Sequence, residues 1–359
     1  MTTAKPEKHV ASHVFNVVVL AVGGVALAWM LHKLGWSTIR EVMRGVGAWF
    51  GVIVALDLAA IACEAAAIRE FMRPEARMVK YWRVLAAQLS GRAINILTPG
   101  GALGEATKVT MLVSSAPRGR VVSSIVLVNL AAFYLSVTIV IVGVPLTALL
   151  VDLPPSLKMT VWVGLGVVIA IVIGIGVLIQ RGAFQTVLAG ARGVGAVSRE
   201  RAEKWSAKLA EIDRHVRELQ SDRSPGTRAG LLFVCAARLC SWTATGVVLH
   251  AVGVEIGFVL LCGVLSVGVL IGWISSIVPF GMGVADGGNY ALFKVLGATG
   301  AHGVFVTLLG RARSLTLALV GLLVMVGGHS ANRWEIARRA RLMARLEAEH
   351  GAESPVRSG

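Results

Sequence analysis

Long, nearly uncharged apolar blocks dominate this chain and leave a water-soluble fold out of reach. They run at residues 14–34, 46–68, 121–151, 161–179, 231–252, 258–278 and 304–326. Each approaches or exceeds the roughly 20 residues a helix needs to cross a bilayer. Hydrophobic residues make up 55% of the 359 positions and charged residues 15%, where a soluble domain carries about 25% charged. Lipid offers no partner for backbone amides, so spanning segments must be helices or closed barrels. The alternating strands of about ten residues that build an outer-membrane barrel are not found here. The expected fold is all-α, a polytopic transmembrane helical bundle.

The net charge of +15 would suit a nucleic-acid surface, but its placement argues for a membrane protein. Basic residues collect in three short regions. One is Arg69, Arg73, Arg77, Lys80 and Arg83; the second runs through 181–228; the third is the C-terminal tail with Arg333, Arg338, Arg339, Arg341, Arg345 and Arg357. The positive-inside rule assigns these to the cytoplasm. Both termini then lie inside a bacterial inner membrane, and the number of crossings is even. The chain divides into a cytoplasmic tail (1–13), a first membrane half (14–180), a cytoplasmic amphipathic linker (181–228), a second membrane half (229–328) and a basic cytoplasmic tail (329–359). In the linker, Trp205, Leu209, Ile212, Val216 and Leu219 form a narrow apolar stripe on a charged helix. Ala26-Leu27-Ala28 resembles a signal-peptide cleavage site, but the apolar run continues past it, so the block reads as a retained helix. Cys63, Cys235, Cys240 and Cys262 lie inside apolar blocks without C-x-x-C spacing and read as packing residues. Of the eight histidines only His9 and His13 have H-x-x-x-H spacing, and they lie in the polar tail before the first apolar block. No metal, cofactor or nucleic acid is expected.

Two segments break the pattern. Residues 84–97 are apolar but short, contain Gln88 and Arg92, and lead into Pro99-Gly100-Gly101. Residues 258–296 are interrupted at Pro279-Phe280-Gly281-Met282-Gly283. Proline removes a backbone donor and glycine admits unusual dihedrals, so each break exposes backbone groups. Such breaks survive at membrane depth only inside protein or along a wet cavity. Their flanks allow either re-entrant hairpins from opposite faces or full crossings. Each break is followed by an acid, Glu105 in one and Asp286 in the other. Paired interruptions in corresponding halves point to an inverted repeat with a binding site between the breaks. The acids either cap the following half-helix or serve a substrate.

Ionisable residues inside the apolar blocks need an explanation, because each costs on the order of 3 kcal/mol at a helix centre. They are Asp57, Glu64, Arg92, Lys108, Arg238, Lys294, Arg311 and Arg313. Arg92, Glu105, Lys108, Asp286 and Arg311 read as functional. Glu105 and Lys108 are three apart and placed to pair. Lys294 and Arg313 read as snorkelling to an interface, and Glu64 as a helix-end residue. Asp57 and Arg238 stay open.

These residues carry a resemblance. Asn95-Ile-Leu-Thr-Pro99 followed by Leu103-Gly104-Glu105-Ala-Thr-Lys108 resembles the N-x-x-x-P…L-G-E-x-x-R signature of the lysylphosphatidylglycerol synthase transmembrane region, or flippase-like domain. Pro279-Phe-Gly281-Met-Gly283-Val-Ala-Asp286 is similar to its second signature, P-G-G-x-G-x-x-E, and Gly310-Arg311 to a later Y-R pair. Lys108, Asp286 and Gly310 stand where the family has Arg, Glu and Tyr, and Val128-Asn129 stands where relatives often carry an acid-Arg pair. The Asp286-Gly287-Gly288 and Arg311-Ala312-Arg313 runs look closer to members associated with hopanoid and other envelope lipids. The resemblance implies the membrane unit alone, without the soluble domain that makes an aminoacyl lipid.

The expected function is a flippase for a lipid or a lipid-linked substrate, with an anionic headgroup held between the two broken elements. The expected substrate-binding residues are Arg92, Asn95, Pro99, Gly100, Gly101, Gly104, Glu105, Lys108, Pro279, Gly281, Gly283, Asp286 and Arg311. No nucleotide-binding loop of the form G-x-x-x-x-G-K-[ST] is present, and no catalytic residue is expected. Two other classes stay open. One is an integral lipid-modifying enzyme with Glu105 or Asp286 as general base. The other is a scaffold that gathers a partner lipid-synthesis enzyme through the amphipathic linker.

Overall fold

The computed structural model describes residues 44–73, 79–98, 102–151, 155–180, 224–275 and 283–352, with the single residues 25, 28 and 40. Most of the first apolar block, the apolar stripe of the linker, the N-terminal tail and residues 353–359 lie outside the described residues. So do Pro99, Gly100, Gly101, Pro279 and Gly281 of the two breaks.

From Ala48 onward the described residues form nine helices and no strand. They are α1 (Ala48–Phe71), α2 (Tyr81–Leu97), α3 (Ala102–Leu112), α4 (Arg118–Leu150), α5 (Pro155–Gln180), α6 (Pro225–Ala251), α7 (Phe258–Ser275), α8 (Val284–Val295) and α9 (Gly300–Ala352). The all-helical expectation holds. Among the described residues five stretches are long and apolar enough to cross a bilayer: α1, α4, α6, α7 and the Gly300–Gly327 part of α9. Helices α2, α3 and α8 have 17, 11 and 12 residues. At 1.5 Å per residue they are about 25, 17 and 18 Å long, short of the roughly 30 Å hydrocarbon layer.

The order of lengths recurs. Helices α1, α2, α3 and α4 run long, medium, short, long; α6, α7, α8 and α9 do the same, with each break before the short helix. Packing follows the same correspondence. Helix α1 lies along α6, α2 packs on α9 of the other half, and α7 packs on α4. Each short helix folds back on the medium helix before it. In lipid, helices gain little by hiding apolar surface from one another, so close approach at small residues has to hold them. Gly321 on α9 meets the Leu89 carbonyl and Ala93 of α2, and Gly143 on α4 meets Ser266 of α7. The two contacts are counterparts in the two halves.

Apolar packing closes the rest. Ile68, Phe71, Val84, Ala87, Val121, Ile125 and Val234 form a buried cluster among α1, α2, α4 and α6. Ile53, Val248 and Leu309 form a second among α1, α6 and α9. Helix α6 begins where Ser224-Pro225-Gly226 ends the linker. The Ser224 hydroxyl accepts from the Thr227 amide at 3.3 Å, with proline in the first turn. Ser224→Ala is expected to lower thermal stability by about 1 kcal/mol, and Ser224→Asp to retain it; unfolding midpoints of detergent-purified protein measure both.

Candidate functional site

The first acid sits at a helix–helix contact. Glu105 lies in the first turn of α3, and its Oε1 accepts from Lys108 Nζ at 2.8 Å and from Asn95 Nδ2 of α2 at 3.1 Å. Lys108 is only 3% exposed. The two helices approach this closely because Gly91 and Gly104 face each other. A Cβ on Gly104 would overlap the Gly91 carbonyl and the Asn95 side chain, and one on Gly91 would overlap Lys108. The spacing of three expected for Glu105 and Lys108 is therefore a real pair. Glu105 Oε2 and Asn95 Oδ1 are buried without a hydrogen-bond partner.

The second acid bridges two elements. Gly283 holds a positive φ of 82°, a left-handed geometry that glycine supplies without steric cost. Asp286 Oδ2 accepts from the Gly283 amide at 3.0 Å and from Arg311 Nη2 of α9 at 2.7 Å. One carboxylate thus caps α8 and pairs across to α9. Below it, Asn289 donates to Thr307 at 2.8 Å, and Gly303 meets the Asn289 carbonyl. Asp286 thus makes the cap contact that one of its two readings expects, and an ion pair besides.

A third pair was not expected. Asp57 of α1, 4% exposed, is ion-paired with Arg313 of α9. Arg313 therefore does not snorkel, and Asp57, left open by the sequence, has a partner. Both lie near the middle of their spans, the 24-residue α1 and the 28-residue apolar part of α9. A usable signal was present. Residues two apart on a helix point about 200° apart, so Arg311 and Arg313 need partners on opposite sides. Arg311 turns to α8 and Arg313 to α1. Glu64 is also engaged, accepting from Gln88 Nε2 of α2 at 2.7 Å, and the half-buried Arg238 of α6 lies within electrostatic reach of Glu64 and Arg92. Lys294 is exposed in the last turn of α8.

Between α2 and α9 runs a groove of about 340 Å³. Arg92, Asn95 and Ile96 line one wall; Gly310, Arg313 and Leu317 line the other. It borders both clusters, since Asn95 holds Glu105 and Gly310 precedes Arg311. Arg92 is exposed here; among the described residues it makes no hydrogen bond or ion pair, though Asp57 is within its electrostatic reach. A Cβ on Gly310 would meet nothing within 4 Å, so the wall is open where the resembled family carries a tyrosine. Of the expected site residues, Arg92 and Asn95 line the groove. Gly104, Glu105 and Lys108 stand behind Asn95; Gly283, Asp286 and Arg311 form the separate cluster at α8 and α9. Arg313 lines the groove without having been expected there, and Asp57 holds it from behind.

Three ion pairs, Lys108–Glu105, Arg311–Asp286 and Arg313–Asp57, thus lie among the apolar helices, with Glu64, Arg92 and Arg238 nearby. Helices of this length and composition, carrying paired charges turned toward one another, define a multi-pass integral membrane protein with a polar interior. The profile of the Lysylphosphatidylglycerol synthase TM region matches residues 16–321, and the chain belongs to that family. No curated protein and no solved structure matched the chain.

Proposed function

We propose that this protein is a flippase for a lipid or lipid-linked substrate of the bacterial envelope, acting in the cytoplasmic membrane with both termini in the cytoplasm. The observation that carries the reading is the α2–α9 groove, at mid-span depth, with two guanidinium groups on its walls. An anionic headgroup entering it meets Arg92 and Arg313 with Asn95 beside them, while acyl chains stay in the lipid outside. Family membership supports a lipid-related role. The recurring helix order supports a pair of inverted repeats with re-entrant breaks, and such a pair moves a site between faces by rocking one half against the other.

A lipid-modifying enzyme would place its general base at Glu105 or Asp286. Both carboxylates are already engaged by a cation, Glu105 by Lys108 and Asp286 by Arg311. Transport is therefore the reading the geometry favours. Envelope lipids, hopanoids among them, are the substrates to screen.

Mass spectrometry of lipids retained by gently purified protein tests the site. Wild type is expected to retain anionic lipid above its share of the membrane. Arg92→Gln, which removes charge, and Gly310→Leu, which fills the groove, are each expected to reduce that enrichment severalfold without loss of fold. Equal lipid profiles in all three would contradict the proposal. Conversion of a retained lipid to a new product by the purified protein would favour the enzyme.

A further inference from the structure

We infer that Arg313 is shared, held by Asp57 in the empty protein and by the headgroup phosphate in the loaded one, so that Asp57 is an internal competitor that releases the substrate. The inference rests on the groove being the headgroup site. It adds Asp57 behind that site and fixes the charge class it takes.

Three observations join here. Arg313 lines the groove and is at the same time ion-paired to Asp57 behind it. Asp57 is 4% exposed, so it has no water to turn to when Arg313 leaves. Among the described residues Arg92 and Arg238 are cations of these helices without an ion pair, and Arg92 stands on the opposite wall of the same groove. An anion fits between Arg92 and Arg313 on the two walls, and a lipid phosphodiester carries a single negative charge. Guanidinium groups favour such an anion because their planar donors match two phosphate oxygens at once.

The consequence is a brake on affinity. A phosphodiester held by Arg92 alone binds weakly. To engage Arg313 as well, it must leave Asp57 as a buried carboxylate without its partner, which is strongly unfavourable. That cost is recovered when the headgroup departs and Arg313 returns. A transport site must bind well enough to fill and weakly enough to empty, and Asp57 supplies the second condition. Asp57 touches no substrate in this scheme. It is a positioning residue that acts through Arg313.

The test separates binding from turnover. Short-chain phosphatidylglycerol and short-chain phosphatidylcholine are titrated onto the purified full-length protein, and transbilayer movement of fluorescent phosphatidylglycerol is measured in proteoliposomes. Asp57→Asn is expected to tighten phosphatidylglycerol binding on the order of tenfold, to tighten phosphatidylcholine much less, because its choline cation offsets the phosphate charge, and to slow movement. Asp57→Glu, which keeps the charge, is expected to stay near wild type. Should Asp57→Asn fail to fold, Asp57→Asn/Arg313→Gln, which removes both charges, is expected to lose the preference for phosphatidylglycerol. The inference is overturned if Asp57→Asn leaves phosphatidylglycerol affinity unchanged or raises both lipids equally, or if the double variant keeps the wild-type preference. If wild type moves no lipid but Asp57→Asn still gains phosphatidylglycerol selectively, the transport reading fails and the shared arginine stands. If wild type moves lipid and Asp57→Asn matches it in binding and rate, the shared arginine fails alone.

Discussion

Lys108→Met is expected to lower the unfolding midpoint sharply and to reduce the amount of protein recovered from membranes. The side chain is almost fully buried, and its ammonium is 2.8 Å from Glu105. Methionine keeps the stem volume, so packing against Gly91 survives while the charge is lost. Glu105 then keeps only the Asn95 amide as a donor from its former pair of partners. Deleting one member of a buried pair costs about 3–5 kcal/mol. The Glu105 side chain is 32% exposed, so water recovers part of this and a loss of about 2 kcal/mol is expected. Glu105→Gln/Lys108→Met should recover most of the stability, because the glutamine carbonyl still accepts from Asn95 and no charge is stranded. Thermal unfolding of the two variants in detergent decides the point. Equal losses would mean that the pair is not what holds α3 on α2.

Gly104→Ala is expected to be the most damaging single methyl in the chain's first half. The added Cβ would overlap the Gly91 carbonyl, a backbone atom that moves only with its helix. Overpacking of this kind costs about 1–3 kcal/mol. Gly91→Ala makes the reciprocal intrusion but meets the flexible stem of Lys108 first, together with the Gly104 carbonyl, so a smaller loss is expected. Gly166→Ala on α5 is the control: nothing lies within 4 Å of its new methyl, and alanine is the better helix former. Unfolding midpoints should fall in the order Gly166→Ala, Gly91→Ala, Gly104→Ala. The same ranking should appear in lipid retention, since Asn95 reaches the groove only while α2 and α3 stay in register. A Gly104→Ala protein as stable as wild type would contradict the close approach.

The helices were legible because their length is dictated by the bilayer. Apolar blocks at 46–68, 121–151 and 231–252 reappear as α1, α4 and α6 with small shifts at the ends. The carboxylates after the breaks were legible too, because a proline-glycine interruption followed by an acid marks the start of a new half-helix. Lys108 as the partner of Glu105 followed from a spacing of three. What a single sequence does not carry is the choice of partner across the bundle. Asp57 and Arg313 are 256 positions apart, and an acid in an apolar helix gives no sign of which later helix will face it. The Arg311-Ala312-Arg313 run held half of that answer, since its two guanidinium groups must diverge. The Gln88–Glu64 bond was hidden for the same reason, and Gly91 against Gly104 because glycine is abundant throughout the chain.

The break acids show why cap and charge partner were hard to separate by reading residues. At Asp286 one oxygen does both jobs, accepting from the Gly283 amide and from Arg311. At Glu105 the pair is confined to the α2–α3 hairpin. The two halves are therefore alike in helix order and packing but not in how each acid is held. In the groove account this asymmetry places Asn95, supported by Glu105, on the α2 wall, and keeps Arg311 out of the groove so that Arg313 faces it.

Transbilayer movement of fluorescent phosphatidylglycerol in proteoliposomes, read by chemical quenching of the outer leaflet, tests the central claim most directly. Wild-type protein is expected to expose the inner-leaflet pool to quenching. Gly310→Leu and Arg92→Gln are expected to return it toward the protein-free rate. Movement at the protein-free rate with folded wild type across the envelope lipids tested, or undiminished movement in both variants, would contradict the account.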